Sequence, residues 1–407
     1  MDSTQTITRS LSEMTHSNNW DRLLVHAFQR LHAGCVHLTL ADGTSLSLGN
    51  ESGEQANLVF HDRGMSKEII FGGSMALSES YMQGKWSTTD LSALLRIFAR
   101  SQKDMGRVAK GTSHVLKKMD NLMHKLRKNT KENARKNIQE HYDLSNELYE
   151  SFLDPTLTYS AAIFGEEGAD LEEAQYRKTD RLIEQLDLKP EDHVLEIGSG
   201  WGACAIRMAQ KSGCRVTSLT LSDEQAKEAR ERVAAAGLED RVEIRIQDYR
   251  DVEGSFDHVI SIEMIEAVGH DFLASYFHVI NDRLKMGGRF ALQAITIPDE
   301  RYQAYNQSVD FIRKHIFPGG HLPSPHLLDE LRKEHTSLKQ IDDFEFGKDY
   351  AETLRRWSKE FFKNIDQVKA LGFDDVFIRK WHYYLAYCEA GFDTELIHVR
   401  QMCYQKD

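Results

Sequence analysis

Apolar and polar residues alternate at every second position in Cys35-Val36-His37-Leu38-Thr39-Leu40 and again in Ser45-Leu46-Ser47-Leu48. The turn residues Ala41-Asp42-Gly43-Thr44 separate them, so the pair predicts a β-hairpin with one buried face. Asn57 to His61 and Glu68 to Phe71 predict two more short strands. The period then lengthens to that of a helix over Ser74 to Gln83 and Leu91 to Ala99. Residues 1–102 read as a small N-terminal α+β domain. Over 103–136, Val115, Leu116, Met119, Leu122, Met123 and Leu126 fall at i, i+3, i+4, i+7 spacing, which predicts an amphipathic helical linker. From residue 137 to 407 strands alternate with helices. The strand candidates are Val194–Ile197, Arg215–Leu219, Val242–Ile246, His258–Ile262 and Arg289–Ile295. Ala203 to Gln210 and Asp223 to Ala236 are helical in period, and Ser222 is placed to cap the second. This order predicts an α/β domain on a doubly wound, mostly parallel sheet with its ligand at the carboxyl edge.

One strand candidate ends in an unusual way. His193-Val194-Leu195-Glu196-Ile197 runs into Gly198-Ser199-Gly200-Trp201-Gly202, with a glycine at every second position. Glycine permits a tight bend and close approach of a ligand, because it has no Cβ. The dinucleotide fingerprint puts its third glycine one residue later, so that pyrophosphate sits on the helix N-terminus. The shorter spacing here, and the carboxylate of Glu196 before the loop, disfavour a pyrophosphate and suit a cationic ligand. The segment resembles motif I of class I S-adenosylmethionine-dependent methyltransferases, whose fold is Rossmann-like. The second strand ends at Thr220-Leu221-Ser222-Asp223-Glu224-Gln225 with no acid at its tip, so Thr220 and Gln225 are the candidates for neutral hydrogen bonds. Asp248 and Tyr249 follow the third strand. They read either as acceptor and flat face for an adenine or as ordinary loop residues.

Charge and cysteine content narrow the function classes. The 407 residues carry a net charge of −12, which opposes general nucleic-acid binding. No apolar run approaches the ~20 residues of a membrane helix, and the polar N-terminus predicts no export. Five scattered cysteines without C-x-x-C spacing predict reduced thiols, a cytoplasmic setting and no metal site. Within the acidic chain, residues 103–136 hold eleven Lys or Arg against Asp104, Asp120 and Glu132. Two readings stand: a solvated helix linking domains, or a surface that presses onto anionic lipid at the inner face of a membrane.

Further blocks carry a closer resemblance. His141-Tyr142-Asp143-Leu144-Ser145-Asn146, Leu153-Asp154-Pro155, Thr158-Tyr159-Ser160, Met264-Ile265-Glu266-Ala267-Val268-Gly269, Ile316-Phe317-Pro318-Gly319-Gly320 and Gly347-Lys348-Asp349-Tyr350-Ala351 occur in order. With the glycine loop and Gln247-Asp248-Tyr249-Arg250-Asp251, they resemble the cyclopropane-fatty-acyl-phospholipid synthases, including those acting on mycolic acids, from about Gln139 to Gln401. Tyr81-Met82 and Gly84-Lys85-Trp86 resemble that family's N-terminal module. The resemblance implies transfer of a methyl carbon from S-adenosylmethionine to the cis double bond of an unsaturated phospholipid acyl chain. Deprotonation of the resulting carbocation by a bound bicarbonate would then give a cyclopropane. It implies cofactor contacts from Tyr159, Ser160, Glu196, Gly198, Gly200, Trp201, Gly202, Thr220, Leu221, Ser222, Gln225, Asp248 and Tyr249. It assigns the bicarbonate to Glu266, Tyr350 and Ile295, with Ala161 and Gln293 where the family often has cysteine and histidine. Cys388 matches a cysteine sometimes marked as catalytic, although the chemistry needs no thiolate. Glu263, by contrast, reads as a solvated helix-start residue. Three alternatives remain: a sister enzyme leaving a methyl or methylene branch, a non-catalytic lipid-binding protein, and a small-molecule methyltransferase. A homodimer is compatible with the pattern and is left open.

Overall fold

The computed structural model describes residues 18–102, 129–131, 133–134, 145–165 and 168–407. Most of the basic segment at 103–136, and the stretch from His141 to Leu144, lie outside the described residues.

The chain divides into two compact units. In the first, β1 (Gly34–Thr39), β2 (Ser45–Gly49), β3 (Glu54–Phe60) and β4 (Trp86–Ser87) form a sheet of order β2-β1-β3-β4. The expected hairpin is present, with Val36 opposite Leu48 and Leu38 opposite Leu46. Glu68 to Phe71 is not a strand. It belongs to the helical stretch Met65–Met82, kinked at Gly73, where Met65, Ile69 and Ile70 are buried. Four apolar-rich residues fit either period, and burial along one helix face decided it. The helix Asp375–Asp393 also belongs to this unit, which redraws the expected boundary of a domain running from 137 to 407. Arg96 ties it in by pairing with Glu389 at 3.0 Å and Asp393 at 3.2 Å, as well as with Glu54 at 2.6 Å. Tyr81 and His382 add a 2.8 Å hydrogen bond. The link is tertiary and leaves no mark in local sequence.

The second unit is built on β5 (His193–Ile197), β6 (Arg215–Thr220), β7 (Val242–Ile246), β8 (Phe256–Ile262), β9 (Leu284–Thr296), β10 (Leu338–Glu345) and β11 (His398–Lys406). Their order is β10-β11-β9-β8-β5-β6-β7. Strands β5 to β9 pair in parallel, and β11 and β10 add an antiparallel edge. The expected parallel core is therefore present, and the antiparallel pair is additional.

Successive strand residues point to opposite faces, so each strand feeds two cores. Val194, Val216 and Ile260 pack with Leu182, Met208 and Ala226 from the helices Leu171–Leu186, Ala203–Ser212 and Asp223–Ala235. Leu195, Val259 and Phe290 pack with Phe277 and Leu328 from the helices Leu273–Arg283 and Pro325–His335. Each such buried aliphatic side chain contributes about 1.5–3 kcal/mol. Strand order reverses between β5 and β8, the topological position at which doubly wound sheets leave a crevice.

Candidate active site

The glycine loop leaves β5 and enters the helix Ala203–Ser212. Gly200 has φ +49°, and a Cβ there would meet no atom within 4 Å, so the backbone faces open space. At Gly202, φ is +89° and a Cβ would lie 3.2 Å from that of Ala229. That glycine serves close packing between helices.

Beside the loop opens a cleft of about 1040 Å³, its mouth included. Among the expected cofactor residues, Tyr159, Ser160, Glu196, Gly198, Gly200, Trp201, Thr220, Leu221, Gln225 and Tyr249 line it. Three others do not, namely Gly202, Ser222 and Asp248. Ser222 is buried and caps the helix Asp223–Ala235, its hydroxyl oxygen accepting from the Gln225 N–H at 3.1 Å. Asp248 takes the Arg250 guanidinium on both oxygens, at 2.8 and 2.6 Å. Burial alone would raise its pKa, but the Arg250 hydrogen bonds and charge hold it below the usual carboxylate range.

Glu196 is 3% exposed and accepts a short hydrogen bond from the Ser218 hydroxyl. Burial pushes its pKa up to about 7, against the pull of Ser218, Cys204 and Lys178. A cationic ligand would restore its charge. Lys178 is also buried, and its ammonium donates to Ser160 Oγ at 2.8 Å. Burial lowers its pKa, opposed by the charge of Glu263.

Tyr159 supplies an aromatic wall, its ring 5.2 Å from Trp357 and 5.3 Å from Tyr149. Trp201 lies 4.9 Å from Tyr149 and donates from its indole to Asn146 Oδ1 at 2.9 Å. Aromatic faces stabilise cations, and this wall suits either a sulfonium or a carbocation.

Two carboxylates lie at the end of β8. Glu263 also lines the cleft. Its Oε1 accepts from the Ala161 N–H at 2.9 Å and from Gln293 Nε2 at 2.8 Å, and its Oε2 accepts from the Tyr350 hydroxyl at 2.7 Å. Burial raises its pKa against those three donors and Lys178. Glu266 does not line the cleft. Its Oε1 accepts from the Ile295 N–H at 2.5 Å, and its Oε2 is buried without a hydrogen-bond partner among the described residues. Burial and then the neighbouring Glu263 push its pKa up to about 8, so it is neutral at pH 7.

Ala161, Gln293 and Tyr350 thus converge as expected, but on Glu263, while Glu266 keeps only Ile295. Tyr350, expected to share one anion with Glu266, donates instead to Glu263. A bicarbonate placed there would compete with Glu263 for all three donors, so the residues present do not fit it. Cys388 is carried by the helix Asp375–Asp393 of the first unit and does not line the cleft.

The orientation of Gln293 follows from a relay. Arg181 can only donate, and its Nη1 does so to Gln401 Oε1 at 3.1 Å. Gln401 Nε2 therefore donates to Gln293 Oε1 at 2.9 Å, which leaves the Gln293 NH₂ for Glu263. Gln401 and Gln293 are direct partners across β11 and β9.

The profile of the mycolic acid cyclopropane synthetase family matches residues 129–402. The chain belongs to that family. It is 40% identical over 374 residues to tuberculostearic acid methyltransferase UfaA1 of Mycobacterium tuberculosis, covering 90% of this chain and 86% of the relative. It is 35% identical over 350 residues to the cyclopropane-fatty-acyl-phospholipid synthase of Escherichia coli K12, covering 84% and 85% respectively. The crystal structure of mycolic acid cyclopropane synthase CmaA1 complexed with SAH and CTAB superposes with a TM-score of 0.63 at 32% identity, over 67% of this chain and 98% of that one. The protein is an S-adenosylmethionine-dependent methyltransferase of the cyclopropane synthase family. The glycine loop, Glu196 and the aromatic wall fit such a cofactor.

Glu263, Lys178 and Gln401 are the site residues that sequence reasoning did not single out. Glu263 left a signal, since Ile262-Glu263-Met264-Ile265-Glu266 places two acids in one apolar run at a strand tip. Lys178 and Gln401 sit mid-element, and nothing local to them marks a site.

Proposed function

We propose that this enzyme alkylates the cis double bond of unsaturated acyl chains esterified in membrane phospholipids. The observation that carries the reading is the cleft itself: an aromatic wall and a buried carboxylate face the space beside the glycine loop. Bound S-adenosylmethionine supplies an electrophilic methyl on a sulfonium. Tyr159 and its neighbours offer faces to the positive charge and keep the site dry, which favours attack by so weak a nucleophile as an alkene. Loss of a proton from the new methyl closes a cyclopropane ring. Loss from a chain carbon instead leaves a branched alkene, and neither outcome needs a reductant. The ring is the first reading. The 40% identity with a tuberculostearic acid methyltransferase over 90% of the chain favours the branch as the second.

Incubation with ¹³C-methyl-labelled cofactor and liposomes of defined cis-unsaturated phospholipid, read by NMR, tests both. Label in high-field ring protons supports the first, and label in a branch supports the second. Cofactor binding with no label in any lipid sinks the proposal and leaves a non-catalytic lipid-binding protein.

The enzyme works at the membrane surface on this reading, recruited by the basic segment. Replacing Lys117, Lys118, Lys125, Arg127 and Lys128 with glutamine should weaken cosedimentation with phosphatidylglycerol vesicles, since each cation near such a surface contributes about 1 kcal/mol. Equal cosedimentation at low salt would refute that role.

A further inference from the structure

We propose that Glu263 is the base that takes the proton after methyl transfer, an internal carboxylate standing where a bound anion would otherwise be required. The inference rests on the alkene-alkylation reading. Of the paired acids, Glu263 alone lines the cleft. Other polar groups of the lining are engaged: Glu196 accepts from the Ser218 hydroxyl, Lys178 donates to Ser160 Oγ, and burial keeps Cys204 a thiol by raising its pKa.

The hydrogen bonds leave one oxygen open. Among the described residues, Oε1 holds two N–H donors, whereas Oε2 holds the Tyr350 hydroxyl and keeps a lone pair for the proton. Burial raises the pKa of Glu263, opposed by the hydrogen bonds from Tyr350, Ala161 and Gln293 and by the nearby Lys178. The Arg181–Gln401–Gln293 relay fixes which end of the amide faces it.

The backbone adds an independent observation. Glu263 has φ +50°, in the left-handed region where a β-carbon is strained, and its N–H donates to Gln293 O at 2.8 Å. Strain of this kind persists where surrounding structure over-determines a residue, and it clusters at active sites.

The step balances within the site. The alkene pair forms the bond to the methyl carbon as the C–S bond breaks, its electrons staying on sulfur. A C–H bond of the new methyl, or of a chain carbon next to the cation, then breaks. Its proton moves to Glu263 Oε2, and its electron pair closes the ring or the new double bond.

The test uses the full chain, wild type, Glu263→Gln and Glu263→Gly, with cis-unsaturated phosphatidylglycerol liposomes in carbon-dioxide-free buffer. Glycine suits the left-handed backbone and opens the space, so the second variant keeps the fold if the first does not. Wild-type turnover should be unchanged by removal of bicarbonate. Both variants should lose about 10² to 10⁴ in turnover while calorimetry shows unaltered S-adenosylmethionine affinity. Formate or bicarbonate should restore turnover to Glu263→Gly and not to Glu263→Gln. Slowing of the wild type without bicarbonate, retained activity in Glu263→Gln, or absence of rescue in Glu263→Gly would overturn the proposal. If the wild type labels no lipid, the alkene reading falls by itself, and ¹³C-bicarbonate binding followed by NMR still judges Glu263. A bound signal only in Glu263→Gly supports the internal carboxylate. A bound signal in the wild type, or none in either protein, refutes it.

Discussion

At the glycine-loop end of the cleft, the chain presents backbone from one continuous turn, Gly198 to Gly202, whose shape is fixed by φ angles. At the carboxylate end it presents side chains from separate segments: Ala161 and Lys178 from before the loop, Glu263 after β8, Gln293 in β9 and Tyr350 in the helix Gly347–Lys363. Backbone amides do not titrate, so the first end is indifferent to pH apart from Glu196. The second end is a set of coupled charges whose function depends on which group holds the proton. The same fold therefore separates holding a ligand from moving a proton, and each can be broken without the other.

The largest effect should come from exchanging charge at the carboxylate end. Glu263→Gln should lose about 10² or more in turnover, the ordinary worth of a positioned base. Glu266→Gln should lose less than about tenfold, because a neutral amide oxygen still accepts from Ile295 N–H and the native group is neutral as well. Steady-state rates of the two variants side by side decide it. If the Glu266 variant falls further, the roles assigned to the two glutamates are reversed.

The loop end breaks through shape. Gly200→Val should abolish measurable S-adenosylmethionine binding, because the branched side chain occupies the open space beside the loop. Gly200→Ala carries the same left-handed strain, about 1–2 kcal/mol, with less bulk. Calorimetry should rank alanine between glycine and valine. Equal losses for the two would mean that strain, not occlusion, sets the effect.

The comparison sharpens at Glu196, the one titrating group of the loop end. A cationic ligand favours its ionised form, so binding below its folded pKa of about 7 must release a proton. Affinity should fall about tenfold per pH unit from 7 towards 5 and level off above 7. Glu196→Gln should flatten that slope. A slope that survives the substitution belongs to another group.

The two ends also differed in how far the chain's order revealed them. The glycine loop, the parallel strands and the Ser222 cap are local patterns, and each was legible because period and spacing are local properties. Glu266 looked like the anion holder because its motif is local too. What places Tyr350 and Gln293 on Glu263 instead is a set of hydrogen bonds between residues 87 and 30 positions apart, oriented by Gln401 from the last strand. No window of sequence contains those partners. The helix Asp375–Asp393 was misassigned for the same reason, since its ion pairs with Arg96 join residues nearly 300 positions apart.

The smallest effect is one of stability. Glu266 titrates near 4.5 in an unfolded chain but near 8 in the cofactor-free protein. Between those values the folded state keeps a proton that the unfolded state has released, so its contribution is full below pH 4.5 and is lost as pH rises to 8. His193, His258 and His382 are lowered by burial and push the other way, but only below about pH 6.5. Glu196, pushed up to about 7 by burial, acts in the same sense as Glu266 up to that pH, so the clean window narrows to pH 7 to 8. Across it Glu266 should remove about 1 kcal/mol, at 1.36 kcal/mol per pH unit, lowering the melting temperature by about 2 °C. Glu266→Gln cannot titrate, so its melting temperature should decline less over the same window than that of the wild type. Parallel declines in calorimetric scans of the two proteins would place the buried proton on a different residue, with Glu263 the first to examine.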